Sequence, residues 1–565
     1  MEIERYVNEI DWIQSTTPSL VLPSSEYREE PGPEALQQTI VQLRPMLEAT
    51  LRQFGLTSFQ CSVLSLSTLD EPGGQTPVTF LRVNLKEEVL DVGLDSIRDA
   101  IQRTLSTHNL SDLPVDVWGV QQKGRPTIFP ISSKDASVAV YESIRDTLAE
   151  FVFSTLGDRC ASMCLFRVGR TEEVSSPTVV VLVKSNSQFD WHQLATDMNG
   201  LLPRSGPTIK VRFHIGYFQL LKASNHPNPP GESSVGEYAA QFATPGIGSS
   251  IGRKGDSGFG TLGGFAKLRV GDRTHRGFMT CHHVIAPSMD SGEQYNKDGY
   301  LYSDAAQEKP EIDCPATEDL NNIKSELDAT MTDTQSRMQF IREIDERRHV
   351  VGIEQLPERH DILMSLQEKV NELGCDRADM EHIQTTLGRV LLSSGLPVNE
   401  RHNSDWAFVE LEGPAEKYFK KNKFSTSGME KEHRDLLGRG KDRLVTVSGL
   451  NIIQRDKCYM KYGRKTRLTS GVCNGTMGHV ARGPLPPERA YTREHFLMSK
   501  PGAFCELGDS GALIVNLAGE VCGVLYAQFV DTTNGIQAGI VIPINEVISS
   551  MAHKAGQPVT LNFGA

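Results

Sequence analysis

The sequence predicts an α+β multidomain protein, with an all-β C-terminal part interrupted by a helical hairpin and an N-terminal part built of tandem α/β units. Its 565 residues suggest three or four domains at a typical size of roughly 150 residues each. The 49 glycines and 29 prolines are typical of a chain rich in turns, which favours β architecture over an all-helical fold. From about residue 258 onwards, short strand-like runs alternate with glycine turns.

The N-terminal part shows one pattern twice. Residues 1–34 contain Ser, Thr and Pro clusters without sustained periodicity, and we expect a poorly structured lead-in. Residues 35–125 read as helix, strand, strand, helix and strand, and residues 126–221 repeat this order. Each unit alone would expose one face of its sheet, so we expect the two to pack together. Neither contains a catalytic motif, which indicates a regulatory or substrate-recruiting module.

The C-terminal part divides into four segments after a Pro- and Gly-containing linker at 222–250. We predict a first β-barrel over 251–412, a link over 413–440 and a second β-barrel over 441–565. A helical hairpin is inserted in the first barrel at about 305–385. Four of its residues recur at intervals of seven, which places them on one face of a helix: Leu320, Leu327, Thr334 and Ile341.

Composition excludes several classes of function. Acidic residues outnumber basic ones, 71 to 58, and the net charge is −13. Such a chain lacks the basic field that grips phosphate backbones, so we expect no nucleic-acid partner. The N-terminus has neither a basic start nor an apolar core, so we expect no signal peptide and an intracellular location, cytoplasmic or nuclear. No run approaches the roughly 18 apolar residues of a membrane-spanning helix, so we expect no membrane span.

The ten cysteines are scattered along the chain, and in a reducing compartment we expect them to remain thiols. The adjacent residues Cys281, His282 and His283 are potential metal ligands, but the sequence offers no further ligands at the spacing of a zinc site. We therefore expect no metal and no cofactor.

Three short segments carry the residue types that acyl transfer by a serine requires. Gly277–Ile285 contains two adjacent histidines at a strand end, Ser404–Leu411 opens an apolar strand with Asp405, and Leu507–Val515 places Ser510 in a glycine-flanked turn. A serine hydroxyl is a poor nucleophile until an imidazole accepts its proton. A carboxylate must hold that imidazole in the right tautomer. The segments therefore predict a nucleophile, a base and an orienting carboxylate.

The glycines around the serine also fit this chemistry. Gly508 allows the backbone N–H groups of Gly508 and Ser510 to point at one spot, where they would bind a developing oxyanion. Gly511 relieves crowding directly after the nucleophile, as a tight turn demands. We therefore predict an oxyanion hole formed by these two N–H groups.

In the order His, Asp, Ser, the segments resemble those of trypsin-like serine peptidases, the chymotrypsin-fold PA clan. Thr280-Cys-His-His283 is similar to Thr-Asn-Asn-His of the HtrA/Deg branch and to Thr-Ala-Ala-His of the trypsins. In both patterns the catalytic histidine follows the Thr by three residues, which selects His283 over His282. Asp405-Trp-Ala-Phe-Val is similar to Asp-Ile-Ala-Leu-Leu, and Gly508-Asp-Ser-Gly511 matches the Gly-Asp-Ser-Gly of the family.

A fourth segment, Lys461–Gly471, looks like the run that opens the second barrel in many intracellular and bacterial members, with Arg467 in place of the usual glycine. The resemblance covers residues 250–560, and residues 1–240 match no family by their motifs. It implies a double six-stranded β-barrel, with catalytic residues His283, Asp405 and Ser510. Intracellular fungal or HtrA-like members are the branches it indicates.

The tetrapeptide alone is a weak signal, because Gly255-Asp-Ser-Gly258 repeats it upstream of the histidines without a following apolar strand. We interpret Ser257 as a loop residue. In trypsins the residue six before the serine forms the floor of the primary pocket. Here that residue is Phe504, so the acidic floor that binds Lys or Arg is absent. Phe504 and Tyr526 are predicted to make the pocket shallow or apolar, with no preferred residue assigned.

The sequence thus predicts an intracellular serine endopeptidase acting on a protein or peptide substrate. A regulatory protein partner would bind residues 35–221 or the helical insertion. The alternative is a non-catalytic peptide-binding or signalling scaffold on a peptidase fold. A further hypothesis is that the chain cuts itself within 222–260 and releases the N-terminal module.

Overall fold

The computed structural model divides the chain into two compact units. Unit 1 comprises Met1–Ile131, Asp135–Tyr217 and Asp531–Ile536, and unit 2 comprises Ser132–Lys134, Phe218–Val530 and Gln537–Ala565. The structure describes the following residues: 1–10, 14–16, 27–68, 78–86, 94–119, 126–169, 171–203, 206–221, 244–286, 298–306, 309–350, 357–381, 385–396, 403–427, 431–436, 443–481, 491–499 and 502–564. Most of the predicted linker, 222–243, lies outside them.

The first half of unit 1 is a mixed sheet of five strands with order β1-β5-β4-β3-β2, in which only β4 and β5 run parallel. Apolar residues at helical spacing, such as Ile40, Leu43 and Leu47 on α2, are buried against this sheet. Its elements are: α1 (Ile3–Ile10), β1 (Gln14–Thr16), β2 (Tyr27–Pro31), α2 (Glu34–Arg52), β3 (Phe59–Thr68), β4 (Val78–Leu85), α3 (Leu94–Ser106) and β5 (Val115–Trp118).

The second half of unit 1 has the order β6-β7-β8-β9, again with one parallel pair, β8 and β9. The order helix, strand, strand, helix, strand therefore occurs in both halves, as α2-β3-β4-α3-β5 and as α4-β7-β8-α5-β9. Their relation as tandem repeats stays a prediction. The elements are: β6 (Thr127–Phe129), α4 (Ala136–Leu156), β7 (Cys160–Gly169), β8 (Ser176–Val183), α5 (Trp191–Leu201) and β9 (Lys210–Leu220).

The predicted unstructured lead-in, residues 1–34, is wrong for its described residues. They contain α1, β1 and β2. The helix buries Ile3, Tyr6 and Val7, which lie at the i, i+3 and i+4 positions of one face. Its first residue donates its N–H to the Ser187 carbonyl at 3.0 Å. An eight-residue helix held by such distant contacts has too short a pattern to stand out in the sequence.

In its described residues, unit 2 contains two large antiparallel sheets and a separate two-stranded antiparallel sheet, β17 with β18. The first has eight strands in the order β11-β10-β14-β15-β16-β13-β12-β26, and the second has the order β20-β19-β23-β24-β25-β22-β21. In the second sheet β22 also pairs with β20, so six of its strands form a closed ring. Its strands are: β10 (Ser250–Arg253), β11 (Gly260–Thr261), β12 (Gly264–Val270), β13 (Arg273–Thr280), β14 (Glu311–Asp313), β15 (Thr386–Ser393), β16 (Ala407–Leu411), β17 (Lys423–Ser425), β18 (Leu444–Thr446), β19 (Cys458–Gly463), β20 (Arg467–Cys473), β21 (Gly478–Ala481), β22 (Tyr491–Met498), β23 (Leu513–Asn516), β24 (Val521–Asp531), β25 (Ile536–Pro543) and β26 (Val559–Asn562).

Five α-helices accompany these strands in the part of unit 2 that the structure describes. Two of them form a helical pair that lies between β14 and β15 of the first sheet. The pair is shorter than the predicted insertion at 305–385, because β14 and β15 at its two ends belong to the sheet. Ile323 and Leu327 from the first helix and Leu373 from the second form a small apolar cluster between them. The helices are: α6 (His282–Ile285), α7 (Thr317–Val350), α8 (Pro357–Asp379), α9 (Lys431–Leu436) and α10 (Ile544–Ala555).

One domain boundary is also corrected. The last strand, β26, was predicted within the second barrel at 441–565, but it pairs with β12 of the first sheet, Leu561 opposite Leu268. Helix α10 ends at Gly556, which has a φ of +68°, and the chain then turns back towards β12. The α+β class predicted from the sequence is confirmed. Among the described helices, none has the length and apolar character that crossing a bilayer requires.

Candidate active site

The structure brings the three predicted catalytic side chains together. His283 lies in α6 directly after β13, Asp405 precedes β16, and Ser510 precedes β23. Because β13 and β16 are paired, with Thr280 opposite Ala407, the histidine and the aspartate approach each other at one end of the pair. Ser510 Oγ lies 2.7 Å from His283 Nε2, and His283 Nδ1 lies 2.5 Å from Asp405 Oδ2.

The aspartate holds the histidine by two contacts. Besides the contact to Nδ1, Asp405 accepts the backbone N–H of His283 at 3.0 Å. The carboxyl is 1% exposed and the imidazole 4%, so water competes little for these hydrogen bonds. A carboxylate at Nδ1 fixes the proton there, which leaves Nε2 with a lone pair that faces the Ser510 hydroxyl.

The neighbouring histidine takes a different direction. His282 is fully buried, and its Nδ1 lies 3.0 Å from Ser393 Oγ. Two adjacent residues at the start of a short helix project about 100° apart, so only one of them reaches the serine. The structure therefore favours His283 over His282 as the partner of Ser510.

The turn that carries the serine requires both of its glycines. Gly508 has a φ of +101° and Gly511 a φ of +92°, in the region that L side chains rarely adopt. A Cβ added at Gly511 would lie 2.5 Å from Thr280 Oγ1 and 2.6 Å from the Thr261 carbonyl oxygen. The turn thus packs directly against backbone of the first sheet, beside β13.

Asp509, between Gly508 and the serine, is buried and does not face solvent as a turn residue usually does. Its buried carboxylate accepts hydrogen bonds from Lys461 Nζ at 2.9 Å, from Thr466 Oγ1 at 2.6 Å and from the N–H of Lys465 at 2.8 Å. Burial alone raises the pKa of this carboxyl, but the Lys461 ammonium and the Thr466 hydroxyl outweigh it, and the net pKa lies below the ordinary value. Both charges of the pair are fully buried, so the turn is fixed from the inside.

The Gly508 N–H donates a hydrogen bond to a peptide carbonyl. That carbonyl belongs to Leu221, and the N···O distance is 2.6 Å. The Leu221 N–H in turn donates to the Tyr526 carbonyl at 3.1 Å, and the Ser510 hydroxyl lies 3.4 Å from the same Tyr526 oxygen. Leu221 is therefore held next to the serine by two backbone hydrogen bonds: its carbonyl accepts from Gly508, and its N–H donates to Tyr526.

The two predicted pocket residues, Phe504 and Tyr526, make different contacts. Phe504 is fully buried and lies against two glycines, since a Cβ added at Gly539 or Gly471 would fall 2.5 or 2.8 Å from its ring. The Tyr526 hydroxyl instead accepts a hydrogen bond from Asn403 Nδ2 at 2.9 Å. Tyr526 thus contacts Leu221 through its backbone carbonyl, while its hydroxyl is engaged by Asn403.

A metal-binding alternative finds little support in the donor chemistry. Ligand atoms of Cys281, His283 and Asp405 lie within 4.8 Å of one another. Burial and the nearby Asp405 charge raise the pKa of the Cys281 thiol well above its usual range, and its Sγ donates to the Leu525 carbonyl at 3.3 Å. A neutral, hydrogen-bonded thiol is a poor ligand, because zinc binds the thiolate. These atoms are better explained by the hydrogen bonds that they make.

Sequence reasoning missed two participants. The sequence indicates Lys461 only as the first residue of a run typical of the second barrel, and its pairing with Asp509 is visible only in the fold. The sequence signal that could have indicated this pairing is a lysine within a predicted strand, together with the aspartate of the Gly-Asp-Ser-Gly turn. The sequence predicts Leu221 as the last residue of the second α/β unit, and no local pattern connects it to the serine.

No protein-family profile matches this chain, and no curated protein matches it. Among solved structures, a glutamic acid specific serine protease matches 54% of this chain and 96% of its own, with 11% identity and a TM-score of 0.27. A protease from Nocardiopsis covers 56% of this chain and 97% of its own, with 12% identity and a TM-score of 0.27. A chymotrypsin from Cellulomonas bogoriensis covers 54% and 94%, with 12% identity and a TM-score of 0.26.

Proposed function

We propose that this chain is a serine endopeptidase that hydrolyses peptide bonds through an acyl-enzyme on Ser510. One observation carries the proposal: the continuous contact from the Ser510 hydroxyl through His283 to Asp405, beside a backbone N–H that already binds a peptide carbonyl. A nucleophile, a base, an orienting carboxylate and an oxyanion donor are the parts that acyl transfer needs.

In the proposed reaction, His283 Nε2 accepts the proton as Ser510 Oγ attacks the scissile carbonyl carbon. The negative charge that develops on the carbonyl oxygen is bound by the Gly508 N–H and, at the same spot, the Ser510 N–H; one such donor contributes on the order of 3 kcal/mol in the transition state. His283 then gives the proton to the departing amine. Water, activated by the same imidazole, releases the acyl group and restores Ser510.

The buried pair of Lys461 and Asp509 supports the oxyanion donors. Gly508 is adjacent to Asp509, so the hydrogen bonds on that carboxylate hold the turn in which the Gly508 N–H points at the bound carbonyl. Donors that are held before the substrate arrives need no reorganisation during the reaction. Lys461 is therefore a positioning residue in this proposal.

The remaining sequence predictions complete the proposal. Unit 1 is a regulatory or substrate-recruiting module, and the enzyme acts inside the cell on a protein or peptide substrate. The ten cysteines fit a reducing compartment, since every one is a free thiol. No cofactor enters the chemistry, which uses side chains, backbone dipoles and water.

A fluorophosphonate probe tests the proposal, because it reacts covalently with an activated serine and ignores an ordinary hydroxyl. We expect the full chain to take up one probe molecule at Ser510 during a long incubation with excess probe, located by peptide mass spectrometry. Ser510→Ala should remove the label. Ser257→Ala, which changes the serine of the same tetrapeptide elsewhere, should leave labelling unchanged.

Two results would contradict the proposal. Folded chain that takes up no probe would favour the alternative of a non-catalytic peptide-binding scaffold, in which the Leu221 contact is a binding contact only. Labelling that persists in Ser510→Ala would place the reactive group elsewhere.

A further inference from the structure

Residues 218–221 lie in unit 2, and Leu221, beside the serine, has the backbone contacts of a bound peptide. The Leu221 carbonyl accepts from the oxyanion donor Gly508, and its N–H donates to Tyr526 of β24. A substrate needs these two interactions together, because they place the carbonyl carbon of one residue in front of the nucleophile. The carbonyl thus aligned is the acyl group of the Leu221–Lys222 bond.

The preceding residues continue along the same strand. The ring of Phe218 lies 6.3 Å from that of Tyr526, and Gln528 Nε2 donates to Gln219 Oε1 at 3.4 Å. Tyr526 and Gln528 are two apart on β24, so these contacts follow the edge of one strand in the manner of an added β-strand. Phe218 to Leu221 therefore occupy the acyl side of the groove as a short extended peptide.

The side chain of Leu221 is enclosed. It is 0% exposed and belongs to the buried apolar cluster that also contains Phe504, Cys505 and Leu525. The ring of Phe504, in the same cluster as Leu221, is packed against Gly471 and Gly539. A site closed by a phenyl ring and thiols suits a branched aliphatic side chain of leucine size, and it disfavours a charge.

We propose that the chain is its own substrate: Ser510 cleaves the Leu221–Lys222 bond, and the pocket around Leu221 selects leucine-sized apolar residues. This inference rests on the proposed peptidase function and names its specificity. Ser510 Oγ bonds to the Leu221 carbonyl carbon as the bond to the Lys222 nitrogen breaks, and that nitrogen receives the serine proton through His283. Water then forms the Leu221 carboxylate and returns a proton to Ser510.

Intact mass under denaturing conditions tests the inference on full chain made by cell-free synthesis and sampled over time. We expect the wild type to convert into two fragments, 1–221 and 222–565, at a rate independent of chain concentration, since the bond lies in its own groove. Ser510→Ala should stay intact. Leu221→Met, close to leucine in size, should cleave within about tenfold of the wild-type rate. Leu221→Asp should cleave at least about 100-fold more slowly, because it brings a charge to an apolar pocket.

Labelling by the fluorophosphonate separates this inference from the proposed function and serves as the folding control for the variants. Wild-type chain that takes up probe at Ser510 but stays intact, or is cut elsewhere, overturns the self-substrate inference and leaves the peptidase proposal standing. Leu221→Asp that is labelled and still cut after residue 221 at the wild-type rate overturns the specificity. Wild-type chain that is neither labelled nor cut contradicts both the self-substrate inference and the proposed peptidase function.

Discussion

The tetrapeptide Gly-Asp-Ser-Gly occurs twice in unit 2, and its two copies have different environments. In the copy at 255–258, Ser257 is exposed and Asp256 is half-buried, whereas in the copy at 508–511 all four residues are buried. A Cβ added at Gly255 would meet nothing within 4 Å, while one added at Gly511 would strike the neighbouring strand backbone. The same four residues thus form a surface turn in one place and a packed turn in the other.

The partners of the two copies explain the difference. In the first copy the Gly255 N–H donates to Thr317 Oγ1 at 3.3 Å, at the first residue of α7, so the turn adjoins the helical insertion. In the second, Asp509 meets Lys461 and Ser510 meets His283, both from distant strands or helices. A hydroxyl becomes a nucleophile only where a base and an oxyanion donor converge on it. Chemistry therefore follows from the surroundings of the tetrapeptide.

The largest expected difference between the copies is in turnover. We expect Ser510→Ala to lower the hydrolysis of a saturating unfolded protein substrate by roughly 10⁵–10⁶-fold, the scale seen when a nucleophile is removed from such a unit. Ser257→Ala should stay within about twofold of the wild type, because its hydroxyl is exposed to solvent. Equal losses in the two variants would contradict the distinction between the copies.

The two aspartates provide the next difference. Asp509→Asn leaves the Lys461 ammonium buried without its counter-charge, and breaking a buried pair in this way costs about 3–5 kcal/mol. Asp256→Asn, at a half-buried loop position, should change the free energy of unfolding by less than about 0.5 kcal/mol. Urea denaturation of each variant measures the two values. A loss under 1 kcal/mol for Asp509→Asn would mean that the pair does not fix the turn.

The sequence located the strands and helices that have their own periodicity. The order of helix, strand, strand, helix and strand predicted over 35–125 is the order of α2, β3, β4, α3 and β5. The three distant segments with His283, Asp405 and Ser510 were singled out because each combines a reactive residue with a strand end or a turn. The structure brings these side chains together, and their catalytic role stays a prediction.

The rest depends on contacts between residues far apart in the sequence. Lys461 and Asp509 are 48 positions apart, and neither segment alone shows that a buried ammonium meets the turn. Leu221 reads as an ordinary apolar strand end, and its place beside Gly508 is set by pairing with β24. The strand β26 likewise pairs with β12 from the opposite end of unit 2. Local patterns do not encode these choices, which are fixed by tertiary packing.

Replacing a glycine by alanine should cost more stability in the second copy than in the first. Gly511→Ala introduces a Cβ 2.5 Å from Thr280 Oγ1 at a φ of +92°, and we expect a loss of about 2–4 kcal/mol from strain and overpacking. Gly255→Ala has a φ of +76° but open space, so only the backbone strain of about 1–2 kcal/mol remains. Thermal or urea unfolding compares them. A larger loss for Gly255→Ala would contradict the packing difference.

The smallest effect concerns pH and the lysine next to each copy. Because the pKa of Asp509 is lowered in the fold, its contribution to stability is complete above the unfolded pKa near 3.9 and is lost as the pH falls through the folded value. Wild-type stability should therefore not change between pH 5 and 7 on account of this group. In Lys461→Met the carboxyl of Asp509 stays buried but the ammonium is gone, so burial, the largest influence on this group, raises its folded pKa. Stability should then fall by about 1 kcal/mol as the pH rises over this range. The matched control is Lys254→Met, beside the first copy, where an exposed lysine pairs with Glu311 on the surface and the profile should follow the wild type. Urea midpoints at pH 5, 6 and 7 measure these slopes, and a Lys461→Met profile parallel to that of Lys254→Met would show that the ammonium does not set the charge of Asp509.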